Sequence, residues 1–249
     1  MPSTTGLGQR DLYDIYSSIV ETRGNRAAIE AMENRQRIIL GLRQETSTFT
    51  NRGQGVYDDR IVVLAKGDNA APPTVEEFLR ASTEPTAQYD GNQRNNKNVK
   101  FRRAEGANVS GDKEPELGRL AAGTIEMLET THQNPGSAKT NFSLRPTRAA
   151  ITGGANGVQR DTNHDGLFNA LDVNGAAPLN STFKIHSGSR TNTDSAGCQT
   201  IHPDDYARFR RAAKADTAQT TWYYVLTHTG QRMYTEWRIP MRSDAWRPR

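Results

Sequence analysis

Two short apolar runs, RIILGLR (37–43) and RIVVLA (60–65), constrain the fold of this chain more than any other feature. Both are rich in branched aliphatic residues and bounded by polar turns, the mark of buried strands. NFSLRPTR (141–148), STFKIH (181–186), TTWYYVLTH (220–228) and RMYTEWRI (232–239) extend the strand set, while VEEFL (75–79) reads as helix or strand equally well. The expectation is a mainly β protein, a β-sandwich or partly closed barrel with a few short helices and an α+β periphery.

Helical periodicity is confined to three places. Leu12, Ile15, Tyr16 and Ile19 recur at helical spacing and predict an amphipathic helix over 9–21. A second helix is expected from Asn25, a residue suited to the N-cap, to about Asn34. PDDYARFRRAAKAD (203–216) predicts a third, capped near Asp204. Residues 1–35 thus form a helical segment expected to pack on a main domain of 36–249. The Asn-, Gly- and charge-rich stretch 87–115 reads as an exposed loop or insertion.

Composition narrows the partners. Only 34% of the 249 residues are hydrophobic, and the mean hydropathy of -0.79 implies long loops around a modest core. A net charge of +4 and a pI near 9.3 favour an anionic partner. The compact basic cluster, Arg208, Arg210, Arg211 and Lys214, reads as a solvated helix face rather than a nucleic-acid patch. No nucleic acid is expected as a partner, and the chain reads as a monomer. No run approaches a membrane span in length, and the N-terminus carries no basic-then-apolar leader.

The lone cysteine, Cys198, excludes an intramolecular disulfide. Free cysteines are commonly buried as small hydrophobes, but TDSAGCQTI places this one in a run of small and turn-forming residues. Gly197 would let a substrate approach closely, and the amides around Ala196, Gly197 and Cys198 could converge on an oxyanion. His186 ends an apolar strand twelve residues before Cys198, a platform for a general base that deprotonates the thiol. On spacing alone, packing and catalysis stay open.

His186, Gly188, Ser195, Gly197 and Cys198 resemble the H-x-G…S-x-G-C signature of the L,D-transpeptidase (YkuD-type) catalytic domain, over roughly residues 181–202. The resemblance implies a domain of that type over 36–249, acting on peptidoglycan stem peptides. It makes Cys198 the nucleophile on the L,D-peptide bond and His186 its base. Ser187 would orient the imidazole through its carbonyl, and the amides near Gly197 would form the oxyanion hole. Gly188, Ser195, Ala196 and Thr200 would meet substrate. The resulting thioester would be resolved by an amine or by water, with no cofactor for catalysis. The chain departs from the pattern in a short His-to-Cys interval, and in Ala196 and Thr200 where His and Arg or Asn are common. A hydrolytic carboxypeptidase or endopeptidase, a phage lysin or a secreted antibacterial effector, is the alternative. Such a protein would act in the periplasm or cell wall, delivered by phage lysis, a secretion system or a signal outside this sequence.

DTNHDGLFNALD (161–172) carries a second motif. Asp161, Asn163, Asp165, Leu167 (through its carbonyl), Asn169 and Asp172 occupy ligand positions of a calcium loop, with Gly166 at the turn. This predicts a structural Ca²⁺; an Asx-rich turn without metal is the competing reading. His132, His164, His202 and His228 lack zinc-ligand spacing. A calcium-stabilised, non-enzymatic surface or phage structural module is the rival function from another class.

Overall fold

The computed structural model describes residues 1–133, 140–154, 157–172 and 176–230. The chain opens with α1 (Gln9–Arg23) and α2 (Arg26–Glu33), then enters β1 (Ile38–Arg43), the short turn α3 (Thr50–Gly53), β2 (Asp59–Ala65) and β3 (Thr74–Ser82). After a long irregular segment come β4 (Gly118–Leu120), β5 (Gly123–Gln133), β6 (Thr140–Pro146) and α4 (Arg148–Thr152). The last elements are β7 (Gly157–Arg160), β8 (Ala176–Pro178), β9 (Ile185–Ser187), β10 (Gln199–Ile201), α5 (Pro203–Ala213) and β11 (Thr221–His228).

Eight strands close into a barrel in the order β1-β11-β5-β6-β9-β10-β3-β2, and β4-β7-β8 form a separate small sheet. Closure removes the exposed edges that a sandwich would leave. The mainly β expectation therefore stands in the form of a closed barrel.

Full burial of β1 and β2 explains their unbroken apolar sequence. Ile39, Ile61 and Val63 point into the barrel with Phe78, Tyr224 and Leu226. Their neighbours Ile38, Leu40, Leu42, Val62 and Leu64 face outward, beneath Leu12, Tyr16, Ile19 and Val20 of α1 and Ala28 and Met32 of α2. The N-terminal helices thus cover the outer wall of the barrel. Asn25 caps α2 as its sequence predicts, its Oδ1 accepting from the Ala28 amide at 2.9 Å.

On the other flank, Tyr206, Phe209 and Ala213 of α5 join the inner core with Phe142 and Trp222. His202 is the N-cap and Pro203 follows at the first helical turn, with Asp204 and Asp205 beside the positive end of the helix dipole. The cap is therefore two residues earlier than the expected Asp204, because the Nδ1 of His202 accepts from the Asp204 amide at 3.3 Å.

Two local readings differ, and one left open is settled. STFKIH yields only the short β9, since Asn180 Oδ1 accepts from the Thr182 amide at 2.9 Å and turns the chain there. VEEFL lies within β3, paired to β2 on one side and β10 on the other. The 87–115 stretch is exposed only in part, because Ala87, Gln88, Tyr89, Asp90 and Gln93 are buried at its start. RMYTEWRI (232–239) lies outside the described residues. Among the described residues, no helix is long and apolar enough to cross a membrane.

Candidate active site

His186 and Cys198 lie on adjacent segments through the parallel pairing of β9 and β10, in which His186 faces Thr200. Cys198 immediately precedes β10, two residues back from Thr200, so it sits one side-chain repeat along from His186. The turn before it is tightly specified. Gly197 has φ 135°, and a Cβ there would collide with the Gly118 carbonyl and the Phe183 ring. Ser195 Oγ accepts from the Gly197 amide at 3.0 Å and donates to the Cys198 carbonyl at 2.7 Å. The Ser195 carbonyl in turn accepts from the amide and the hydroxyl of Thr86.

The loop between His186 and Cys198 is pinned from outside. Tyr57 donates to the Ser189 carbonyl at 2.7 Å and to the Asn192 carbonyl at 3.0 Å. Its hydroxyl occupies the space a side chain on Gly188 would need. Asp194 anchors the far side by accepting from the Tyr89 hydroxyl and from Arg102 Nη1.

His186 is 3% exposed. Its Nδ1 lies 2.8 Å from the Ser187 carbonyl. A carbonyl only accepts, so Nδ1 carries the proton and Nε2 presents a lone pair, the form a base requires. Burial, and next the nearby His132, push the imidazole down to about 4. Cys198 is part-exposed, and its Sγ donates to the Thr182 carbonyl at 3.4 Å. Desolvation pushes the thiol up to about 11, against the opposing pull of the Lys184 amide and ammonium. At neutral pH the thiol and the imidazole are therefore both uncharged.

His132 of β5, absent from the expected site, stacks on His186 with ring centroids 3.9 Å apart and an interplanar angle of 8°. Parity along β5, visible only once that strand is known, places it. Ile125 and Met127 point into the barrel, so the even-numbered His132 falls on the outer face of the same strand, as His186 does on its own.

Other expected roles change. The Gly197 amide is engaged by Ser195 Oγ and so is not a free oxyanion donor. Ser195 and Thr200 are both 0% exposed and cannot meet substrate as they stand. Ser195 holds the turn together, and Thr200 packs between strands. Ala196 and Gly188 are part-exposed, but Gly188 lies past Ile201, at the opposite end of β10 from Cys198. An open groove of about 900 Å³ runs along α5 past Ser187, Tyr206, Arg210 and Arg211, and neither Cys198 nor His186 lines it. In the basic cluster, Lys214 pairs with Glu129 and Arg208 with Glu76.

The 161–172 loop is laced by Asx turns. Asp161 accepts from the Asp165 and Gly166 amides, and Asp172 from the Thr162 and Asn169 amides. Asn163 and Asp165 accept from the amides of Asp165 and Leu167, and Asn169 from that of Leu171. Among the described residues, no three Asp, Glu, His or Cys side chains converge as a metal-holding group. Burial pushes Asp161 up to about 7, helped by Asp172, Asp90 and Asp165. His164 ties the loop to the 87–115 stretch, its ring nitrogens 2.9 Å from Asp90 and 3.2 Å from Asp112.

Compared with protein families, with curated proteins and with solved structures, the chain matches none.

Proposed function

We propose that the protein is a cysteine-dependent peptidoglycan enzyme acting on the L,D-peptide bond of stem peptides. One observation carries this reading. The Nδ1 proton of the buried His186 is committed to the Ser187 carbonyl, which leaves Nε2 as an acceptor one strand from the part-exposed Cys198.

In this mechanism Cys198 Sγ leaves the Thr182 carbonyl and turns toward Nε2, a tightening expected on substrate binding. His186 takes the thiol proton as the sulfur attacks the carbonyl carbon. The C–N bond then breaks, and the imidazolium returns the proton to the departing amine. An amine or water, deprotonated by the same imidazole, resolves the thioester and regenerates the thiol. The Cys198 amide, which makes no hydrogen bond among the described residues, is the oxyanion donor in place of Gly197. The 161–172 loop is read with it as a structural calcium site, and the place of action as the periplasm or cell wall.

Incubation with purified muropeptides, followed by intact-protein and product mass spectrometry, tests the reading. The expected result is a stem-peptide thioester on the wild type and none on Cys198→Ala. A cross-linked product identifies transpeptidation, and a shortened stem identifies hydrolysis. Equal product from Cys198→Ala would remove the enzyme assignment. The rival reading, a non-enzymatic module, draws on the thiol's bond to Thr182 and expects no product from either protein.

A further inference from the structure

The two stacked imidazoles come from strands that are not neighbours. β6 lies between β5 and β9, so their backbones stand roughly 10 Å apart at ordinary strand spacing. The rings of His132 and His186 therefore meet over β6, nearly parallel. We infer that His132 is a positioning residue for His186, fixing the plane of the base so that Nε2 faces Cys198 and limiting the stacked pair to one proton. This inference rests on the reading of Cys198 and His186 as nucleophile and base.

The geometry explains why a second constraint is needed. The bond from Nδ1 to the Ser187 carbonyl holds one edge of the ring but leaves it free to tilt about that contact. A parallel ring at 3.9 Å removes the tilt. His132 Nδ1 is buried without a hydrogen-bond partner among the described residues.

The charges facing the pair agree with a single-proton unit. Lys184, just before β9, disfavours a proton on either ring, and Asp194 from the pinned loop favours one on both. Each imidazole also faces the other, and two cations in face-to-face contact repel strongly. A proton taken from Cys198 by His186 thus enters a site whose neighbour stays neutral and polarisable.

The full-length chain with His132→Ala and His132→Phe tests this, with two readouts. Long-range proton–nitrogen NMR reports the tautomer and titration of His186 without substrate. Stem-peptide turnover reports kcat and KM separately. His132→Ala should leave His186 in mixed tautomers with a raised pKa, and should lower kcat about 10- to 100-fold with little change in KM. His132→Phe keeps a flat ring in place and should restore the single tautomer and most of kcat. A wild-type tautomer, pKa and kcat in His132→Ala would overturn the inference. Failure of the underlying reading appears elsewhere, as turnover surviving in Cys198→Ala.

Discussion

The hydroxyl of Ser195 donates to the carbonyl of Cys198 at 2.7 Å, across the same turn in which it accepts from the Gly197 amide. One side chain thus sets the direction in which the thiol is presented. Ser195→Ala should strip partners from both backbone groups and cost about 1–3 kcal/mol of stability. Thioester formation should fall further than the loss of folded protein accounts for. Urea unfolding beside single-turnover mass spectrometry separates the two effects. Unchanged acylation in a destabilised but folded variant would confine Ser195 to stability.

The titration of the pair predicts how the thiol reacts. With the imidazole lowered to about 4 and the thiol raised to about 11, the single proton stays on sulfur across the neutral range. Alkylation by iodoacetamide should therefore be slower at pH 7 than that of an unperturbed thiol, and should climb steadily through alkaline pH. A plateau of high reactivity near neutrality would instead mean a thiolate–imidazolium pair in the resting protein.

At Gly197 the backbone itself forbids a side chain. Gly197→Ala must either relax φ from 135° or push against the Gly118 carbonyl. The strain should cost about 1–3 kcal/mol and displace the thiol. A melting curve and an acylation assay check it together. Wild-type values in both would show that the turn tolerates a methyl group.

The buried Asp161 gives the calcium reading a pH signature. Its carboxyl titrates near the ordinary 3.8 when unfolded and near about 7 when folded. Between those values the folded state holds a proton that the unfolded state has lost, so stability falls as pH rises through this window. Above it, the ionised carboxylate faces Asp172, Asp90 and Asp165, and a bound cation offsets the repulsion. Calcium should raise the melting temperature strongly at pH 8 and weakly at pH 5. The gain at pH 8 corresponds to about 2.7 kcal/mol when free calcium is a hundredfold above its Kd. Asp161→Ala with Asp165→Ala should abolish the response, measured by calorimetry with and without chelator. A melting temperature indifferent to calcium at both values would reduce the loop to its Asx turns.

The sequence was most legible where one physical demand dominated. β1 and β2 are buried on both faces, so their side chains are apolar throughout and read as strands unaided. Asn25 announced its helix because a cap needs only a local oxygen. β5 was not legible. GTIEMLETTHQ carries the helix-favouring run Glu126, Met127, Leu128 and Glu129 at its centre, and it is a strand because β6 and β11 pair with it on either side. Missing that strand meant missing His132. His186, Ser187 and Cys198 could be named from their local run, but the burial of Ser195 and Thr200 depends on what packs from elsewhere. Thr86 covers the turn at Ser195, and Ser82 and His186 flank Thr200.

The strands that carry the candidate chemistry are also the shortest staves of the barrel. β9 and β10 span three residues each, and among the described residues β6 meets β9 through the single pair Leu144 and Ile185. Few ladder bonds must break for this seam to part, so it is where the wall breathes first. Amide hydrogens on β9 and β10 should exchange with deuterium well before those of β1, β2 and β11. A peptide bound across His186 and Cys198 would stitch the seam shut, and should slow that exchange.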